Sequence, residues 1–375
     1  MKSLLALVVI LLSATSFAHA QHHHTHALDR VIKFPDVPGY LTLTADLHMH
    51  TVFSDGSVWP NIRVQEALRD GLDVIAITEH LEYQPHQDDI PHPDRNRAYN
   101  VALNAARNSN LLIIPGSEIT RDMPPGHSNA IFIDDANKLL VDDAVEAFQE
   151  TRNQGGFTFW NHPNWTAQRK DGIARLDDMH RQLIDDGLLH GIEVVNEHTY
   201  SDEALQIALD HNLTIIGTSD IHGLIDWDYE PHAGGHRPVT LVFAEERTLA
   251  GVQEALEARR TVAYFNELLI GREAHVLPLV TSAIQVTEAV YGGDTQVLRV
   301  TLENTSDAPF TLMNRSLYTF HANADVVHLH PHDTYTLEVK TRERLDAITL
   351  PFEVLNAVTA PNTHPTLSLT ITPSN

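Results

Sequence analysis

Residues 45–57, ADLHMHTVFSDGS, end an apolar run with two histidines one residue apart. Side chains of a strand alternate with period two, so His48 and His50 share one face and point the same way. Asp55 follows in the loop. The pattern returns downstream: His80 ends VIAITEH, Glu118 lies in LLIIPGSEIT, His127 in PPGHSNAIF, His162 in FTFWNHP, and Asp220 and His222 in IIGTSDIH. Most of these sit at or just past the end of a run rich in Val, Ile, Leu or Phe. A barrel of parallel strands gathers ligands in this way, from distant positions to one mouth. Alone, each histidine reads more simply as a packed or solvated side chain. Nine imidazoles and carboxylates in this arrangement read as a metal cage, of a kind that suits zinc, iron and manganese alike.

Composition narrows the field. The 375 residues include no cysteine, which excludes thiolate-bound zinc and iron–sulfur clusters. Without disulfides the fold must be held by its core, and 42% hydrophobic residues can supply one. Fifty Asp and Glu against 25 Lys and Arg give a formal charge of −25, which disfavours a nucleic acid polymer or an anionic membrane face as partner. The cage is a local exception: three divalent ions would bring about +6 against roughly −3 from Asp55, Glu118 and Asp220.

Residues 1–20, MKSLLALVVILLSATSFAHA, carry Lys2, an apolar core from Leu4 to Leu12 and small residues at Ala18 and Ala20. That is the pattern of a cleaved secretory signal peptide, with a core too short to span a bilayer. The expected mature chain begins near Gln21 and works in a bacterial periplasm or outside the cell. Residues 21–40 form a leader or linker, whose QHHHTH reads as a polar tail of weak metal affinity. No later segment is apolar over a membrane-spanning length.

From residue 41 to 272, strand-like and helix-like runs alternate, predicting an α/β fold with about seven parallel strands. No glycine-rich phosphate turn follows the first strand, so a closed or distorted barrel is preferred over an open doubly wound sheet. Loops over residues 81–94 and 225–237 are expected to set access to the mouth. From Glu273 to the end, short alternating runs such as TQVLRVTLEN and TLSLTITP predict a small all-β sandwich without helices. His321, His328, His330 and His332 within it read as surface or packing residues.

The motifs resemble the polymerase and histidinol phosphatase (PHP) family over residues 41–272: DLHMHTVFSDG, TEH, GSEIT followed by GH, NHP, and SDIH. The resemblance implies a distorted seven-stranded, TIM-like barrel with two or three divalent ions, Zn, Mn or Fe. By that resemblance His48, His50, Glu118 and Asp220 hold one ion, and Glu118 bridges to a second held by His127 and His162. Asp55, His80 and His222 hold a third. Glu79 is expected to orient its neighbours rather than to ligate.

The implied activity is hydrolysis of a small phosphate mono- or diester by a metal-bridging hydroxide, with the ions neutralising charge as phosphorus becomes five-coordinate. Asp220 and His222 belong to the catalytic set as well as to the ligands. Arg121 and Arg237 are candidate phosphate clamps. His236, in EPHAGGHRP, is a candidate donor of the leaving-group proton. Trp165 and Trp227 are expected at the pocket wall and Trp160 in the core. The competing expectation is an exported metal- or ligand-binding protein that keeps the cage without catalysis. Oligomeric state leaves no signal in the sequence.

Overall fold

The computed structural model describes residues 32–374. The expected signal peptide and the QHHHTH leader lie outside these residues. Strand β1 (Leu41–Asp46) leads to helix α1 (Pro60–Arg69), β2 (Val74–Ile77), α2 (Arg97–Ala106), β3 (Leu112–Ile119) and β4 (Ser128–Ile131). Next come α3 (Ala144–Asn153), β5 (Phe157–Trp160), α4 (Asp178–Asp185), β6 (Gly191–Asn196), β7 (Thr199–Tyr200), α5 (Asp202–Asp210) and β8 (Thr214–Thr218). The short α6 (Ile225–Asp228), then β9 (Val239–Ala244), α7 (Leu249–Glu257), β10 (Thr261–Phe265) and β11 (Leu268–Gly271) complete the first domain.

Strands β2, β5, β8 and β9 are buried along their whole length. This is why VIAI, FTFW, TIIGT and VTLVFA are apolar nearly throughout: one face lines the barrel and the other meets helices. Capping starts several of those helices. The Asp143 carboxylate accepts from the backbone N–H groups of Val145 and Glu146, and Ser201 and Thr248 cap α5 and α7 in the same manner.

The sheet is a curled, distorted barrel of mixed strands. Its order runs β11, β10, β9, β1, β2, β3, β4, β5, β6, with β8 also on β6. At the mouth it curls back on itself: His50 N donates to Ile221 O at 3.0 Å and Asp220 N to His48 O at 2.9 Å. The expectation of uniformly parallel strands needs correction. Strand β4 is antiparallel to both β3 and β5, and β9 to both β1 and β10. Only residues 120–127 separate β3 from β4, too few for the crossover that a parallel pair requires.

A second correction falls at the domain junction. Helix α8 (Glu273–Ala283) occupies a stretch expected to hold only β structure, and Pro278 lies inside it. Its buried Val276, Leu279 and Val280 join a single apolar cluster that extends from α1 and α2 into the second domain. That domain comprises β12 (Ile284–Tyr291), β13 (Val297–Asn304), β14 (Phe310–Asn314), β15 (Thr319–Phe320), β16 (Val326–Leu329), β17 (Thr334–Lys340), β18 (Ile348–Val354), β19 (Ala357–Val358) and β20 (Thr366–Ile371). It forms two four-stranded sheets, β12-β13-β17-β15 and β16-β14-β18-β20. The remaining strand, β19, crosses back and pairs in parallel with β11, so the barrel sheet gains an edge strand from its neighbour.

Candidate metal centre

Strands β1, β2, β3, β5, β6 and β8 all run in one sense, so their C-terminal ends form one rim. His48 and His50, His80, Glu118, His162, and Asp220 and His222 come from that rim, at or just beyond the ends of five of these strands. The antiparallel β4 contributes from its opposite end: His127 immediately precedes it and reaches the same mouth. Asp55 arrives on the loop after β1. That loop is drawn in tightly at Gly56, where an added Cβ would lie 2.7 Å from the backbone of His50 and Thr51.

The nine predicted ligand positions converge. His48 Nε2 and His50 Nε2 lie 3.0 Å apart, and each is within 3.1 Å of Asp220 Oδ1. The Glu118 carboxylate sits at the centre. Its Oε1 is 3.1 Å from His127 Nδ1 and 3.5 Å from His162 Nε2, and its Oε2 pairs with His80 Nδ1. On the open side, Asp55 lies 3.2 Å from His222 Nε2 and 3.3 Å from His80 Nε2. Three groupings have ligand atoms close enough to share an ion: His48, His50 and Asp220; His50, Asp55, His80 and His222; His80, Glu118 and His127. They overlap the three sets implied by the resemblance, with His50 and His80 each serving two and His162 in none of them.

The donor set fits divalent cations on two grounds. Asp55 Oδ1, Glu118 Oε2 and Asp220 Oδ1 are buried carboxylate oxygens that make no well-formed hydrogen bond and face imidazole nitrogens instead, and His162 Nδ1 is unpartnered. Such atoms are costly unless a cation meets them. The histidine titrations point the same way. Burial opposes the charged form of His48, but Asp220, Glu193 and Glu118 outweigh it and push it up to about 10. Burial is likewise outweighed at His80, by Glu118 and Asp55, and at His222, by Asp55 and Asp220; these are pushed up to about 11 and about 9. His50 goes down to about 3, driven by burial and then by His80 and His222. Glu118 and Asp220 fall well below the ordinary carboxylate range despite burial, held there by the surrounding imidazoles. Without metal the cluster gathers protons as its positive charge, and a cation must displace them.

Sequence reasoning missed the frame around the ligands. Glu193, on β6, accepts from His48 Nδ1–H at 2.8 Å, from His162 N at 2.7 Å and from the Asn196 side chain at 2.9 Å. This fixes the His48 tautomer that presents Nε2 to the cluster. The signal was an acid inside the apolar run GIEVVN. Arg63, on α1, is fully buried and donates to His50 O at 2.9 Å and Ile221 O at 3.1 Å, which ties together the ends of β1 and β8. Glu79 accepts from Thr51 N, Thr51 Oγ1 and Ser54 Oγ and does not enter any ligand grouping.

Three candidates go elsewhere. Arg237 is fully buried away from the cavity, donating to Asp70 at 2.7 and 2.9 Å and to Asp46 at 3.2 Å. Asp46 in turn accepts from Ser219 N and Oγ, so Arg237 braces the turn before Asp220 and cannot clamp a substrate. Arg121 is taken up by the carbonyls of Val141 and Asp142 and by Glu82 at 2.9 Å. His236 stacks on Tyr264 with ring centroids 4.2 Å apart, and burial lowers its pKa. None of the three lines the cavity of about 140 Å³ over the ligands. Trp165 does line it, with its ring 5.1 Å from His162, whereas Trp160 is buried against His180. Trp227 is largely exposed and outside that wall.

Among solved structures, the chain is similar to a two-domain protein of Bacteroides vulgatus containing a predicted PHP-like metal-dependent phosphoesterase. The match has 43% identity and a TM-score of 0.85, and it covers 91% of this chain and 98% of that one. The chain belongs to the PHP-like metal-dependent phosphoesterases. A family model described as an Ig-like domain matches residues 284–370, the sandwich. Two further likenesses are weaker. One is to a structure described as a metal-dependent phosphoesterase of Bifidobacterium adolescentis, with 19% identity, TM-score 0.38, and coverage of 48% of this chain and 88% of that one. The other is to PsfC of Pseudomonas syringae, with 19% identity, TM-score 0.42, and coverage of 64% and 96%. No curated protein matches the chain. This PHP-like phosphoesterase is therefore a metal-dependent hydrolase. No helix among its described residues is long and apolar enough to cross a membrane.

Proposed function

We propose that this phosphoesterase hydrolyses small phosphate monoesters outside the cytoplasm, using two or three divalent ions held by the nine converging side chains. The observation that carries the reading is the set of buried oxygens of Asp55, Glu118 and Asp220 that lack well-formed hydrogen bonds and face imidazole nitrogens around one small cavity. When bound, the ions supply charge neutralisation for the phosphoryl group and lower the pKa of water at the site. The protein's own part is positional. Glu193 sets the His48 tautomer, Arg63 and Arg237 fix the turns that present His50 and Asp220, and Trp165 walls the cavity.

Cavity size favours monoesters. About 140 Å³ over the ligands suits one phosphoryl group, and a chamber of about 270 Å³ adjoins it at Asp220 and His222. One substituent has room there. Export is supported by the signal-peptide pattern in residues 1–20, and scavenging phosphate from extracellular esters is the setting that suits both features.

The test is turnover of nitrophenyl phosphate and bis(nitrophenyl) phosphate, with chelator and with manganese or zinc restored. The expected result is chelator-sensitive activity that is higher on the monoester. A fully metallated protein inert on both favours a metal-binding protein without catalysis. Faster turnover of the diester overturns the monoester assignment.

A further inference from the structure

Strands β5, β6 and β8 lie side by side, and each is followed within two residues by a left-handed residue that is not glycine. These are His162 at φ 30°, Glu197 at φ 49° and Asp220 at φ 47°. Side-chain-bearing residues rarely adopt this conformation, and where they do it commonly aims a functional group. Two of the three are ligand positions. The third, Glu197, makes the same turn between them and lines the same cavity; like His162 it is in none of the three groupings, but unlike His162, which lies 3.5 Å from Glu118, it pairs with no ligand residue. Its carboxylate has no hydrogen-bond or ion-pair partner among the described residues. It also borders the adjoining chamber, where Asp228 is a second acid. No Arg or Lys lines either space.

We infer that Glu197 reads the alcohol half of the substrate, selecting uncharged, hydroxyl-bearing alcohols and rejecting esters that carry a second phosphate. The inference rests on the phosphoester reading and gives its substrate class. An ionised carboxylate only accepts hydrogen bonds, so hydroxyl groups of a small polyol satisfy it. The chamber also holds His198 and His222, the latter a ligand position, but a second phosphate there meets Glu197 and Asp228 with no guanidinium or ammonium to neutralise it, and like charges brought together are a strong means of exclusion. Trp165, 45% exposed, offers an apolar face for the carbon skeleton at the same cavity.

The experiment compares fructose 6-phosphate with fructose 1,6-bisphosphate as substrates of the metal-loaded full chain, for wild type, Glu197→Gln and Glu197→Lys. Metal content is measured on each preparation. Wild type is expected to prefer the monophosphate in kcat/KM; the preference falls about tenfold in Glu197→Gln and reverses in Glu197→Lys. Bound metal stays at the wild-type level. An unchanged ratio in both variants overturns the assignment while leaving phosphoester hydrolysis intact. Loss of metal in Glu197→Gln overturns it too, by making Glu197 a ligand. A metal-loaded wild type inert on both sugars and on nitrophenyl phosphate removes the phosphoester reading itself, and this inference with it.

Discussion

The mouth of the barrel and the C-terminal sandwich solve opposite problems. In the sandwich, burial alternates along the strands, most cleanly in β20, and the buried polar residues beyond α8 are Asn304, Ser306, Thr341 and Thr359, none of them ionisable. At the mouth His48, His50, His80, Glu118, His162, Glu193 and Asp220 are all buried, and several of their atoms make no well-formed hydrogen bond. Apolar burial, in a cluster shared with α1, α2 and α8, sustains the sandwich. The mouth is ordered by a frame of buried arginines and acids, and its carboxylates are balanced by cations or, without metal, by protons on His48, His80 and His222. Function sits where the chain tolerates instability.

The largest effect should come from the centre of the mouth. Glu118→Gln keeps the shape that receives Asn161 Nδ2 at 2.8 Å but removes the charge shared by His80, His127 and His162. Losing metal-based stabilisation worth several kcal/mol lowers kcat by roughly three decades or more. The metal-free variant should be less stable than metal-free wild type at neutral pH, because the raised His80 and His162 lose the charge that compensates them. Steady-state kinetics beside calorimetry checks both, and a metal-free variant as stable as wild type would show that Glu118 does not carry that compensation.

Phe352→Ala applies the converse test in the sandwich. Phe352 is fully buried on β18, and its truncation should cost about 3–5 kcal/mol of stability. Molecules that remain folded should turn over substrate at the wild-type rate. Urea denaturation and kcat on the same sample separate the two, and a fall in kcat would show that the shared apolar cluster carries the sandwich's packing to the mouth.

The two regions also differ in how much the sequence disclosed. His48, His80, Glu118 and Asp220 were legible because a ligand-type residue after an apolar run marks a strand end at a barrel rim. The sandwich was legible from period-two alternation. Strand direction was not, although the short interval before SNAI held the clue for β4. Helix α8 was hidden by Pro278 within EAHVLPLVTSA. Arg237 and Arg121 misled because closeness in sequence to Asp220 and Glu118 carries no direction: one guanidinium turns inward to Asp46 and Asp70, the other to the carbonyls ahead of α3. Buried charge depends on partners distant in sequence, such as Asp46 and Ser219.

A smaller effect separates holding a metal from orienting what holds it. Glu193→Gln leaves every ligand in place but replaces the acceptor that fixes the His48 tautomer. Metal affinity should weaken about 10–100-fold. Metal titration of the chelated protein measures this, and excess metal should restore most of the rate. Failure of excess metal to restore it would mean that Glu193 acts on the substrate rather than through His48.

The smallest effect concerns a histidine in the barrel wall whose titration runs opposite to that of His48, His80 and His222. His180 is buried on α4, stacked on Trp160 at 4.1 Å. Its Nε2–H donates to Pro125 O at 2.7 Å, and its Nδ1 accepts from Asp177 N at 3.1 Å. Only the neutral ring can do both, and burial lowers its pKa, with Pro125 and Asp177 pulling weakly the other way. In the unfolded chain a histidine takes its proton near about 6.5. Below that pH the unfolded state binds more protons, so His180 contributes stability above about 6.5 that is lost on acidification. For the raised His48, His80 and His222 of the metal-free mouth the sign reverses: their contribution is complete below about 6.5 and is lost as pH rises toward 9–11. Urea midpoints of metal-free wild type and His180→Gln at mildly acidic and neutral pH isolate the wall, because the mouth's terms cancel between the two proteins. Wild type should lose more stability on acidification than His180→Gln, which has no ring to protonate. Equal losses would place the acid sensitivity elsewhere and leave His180 a packing residue.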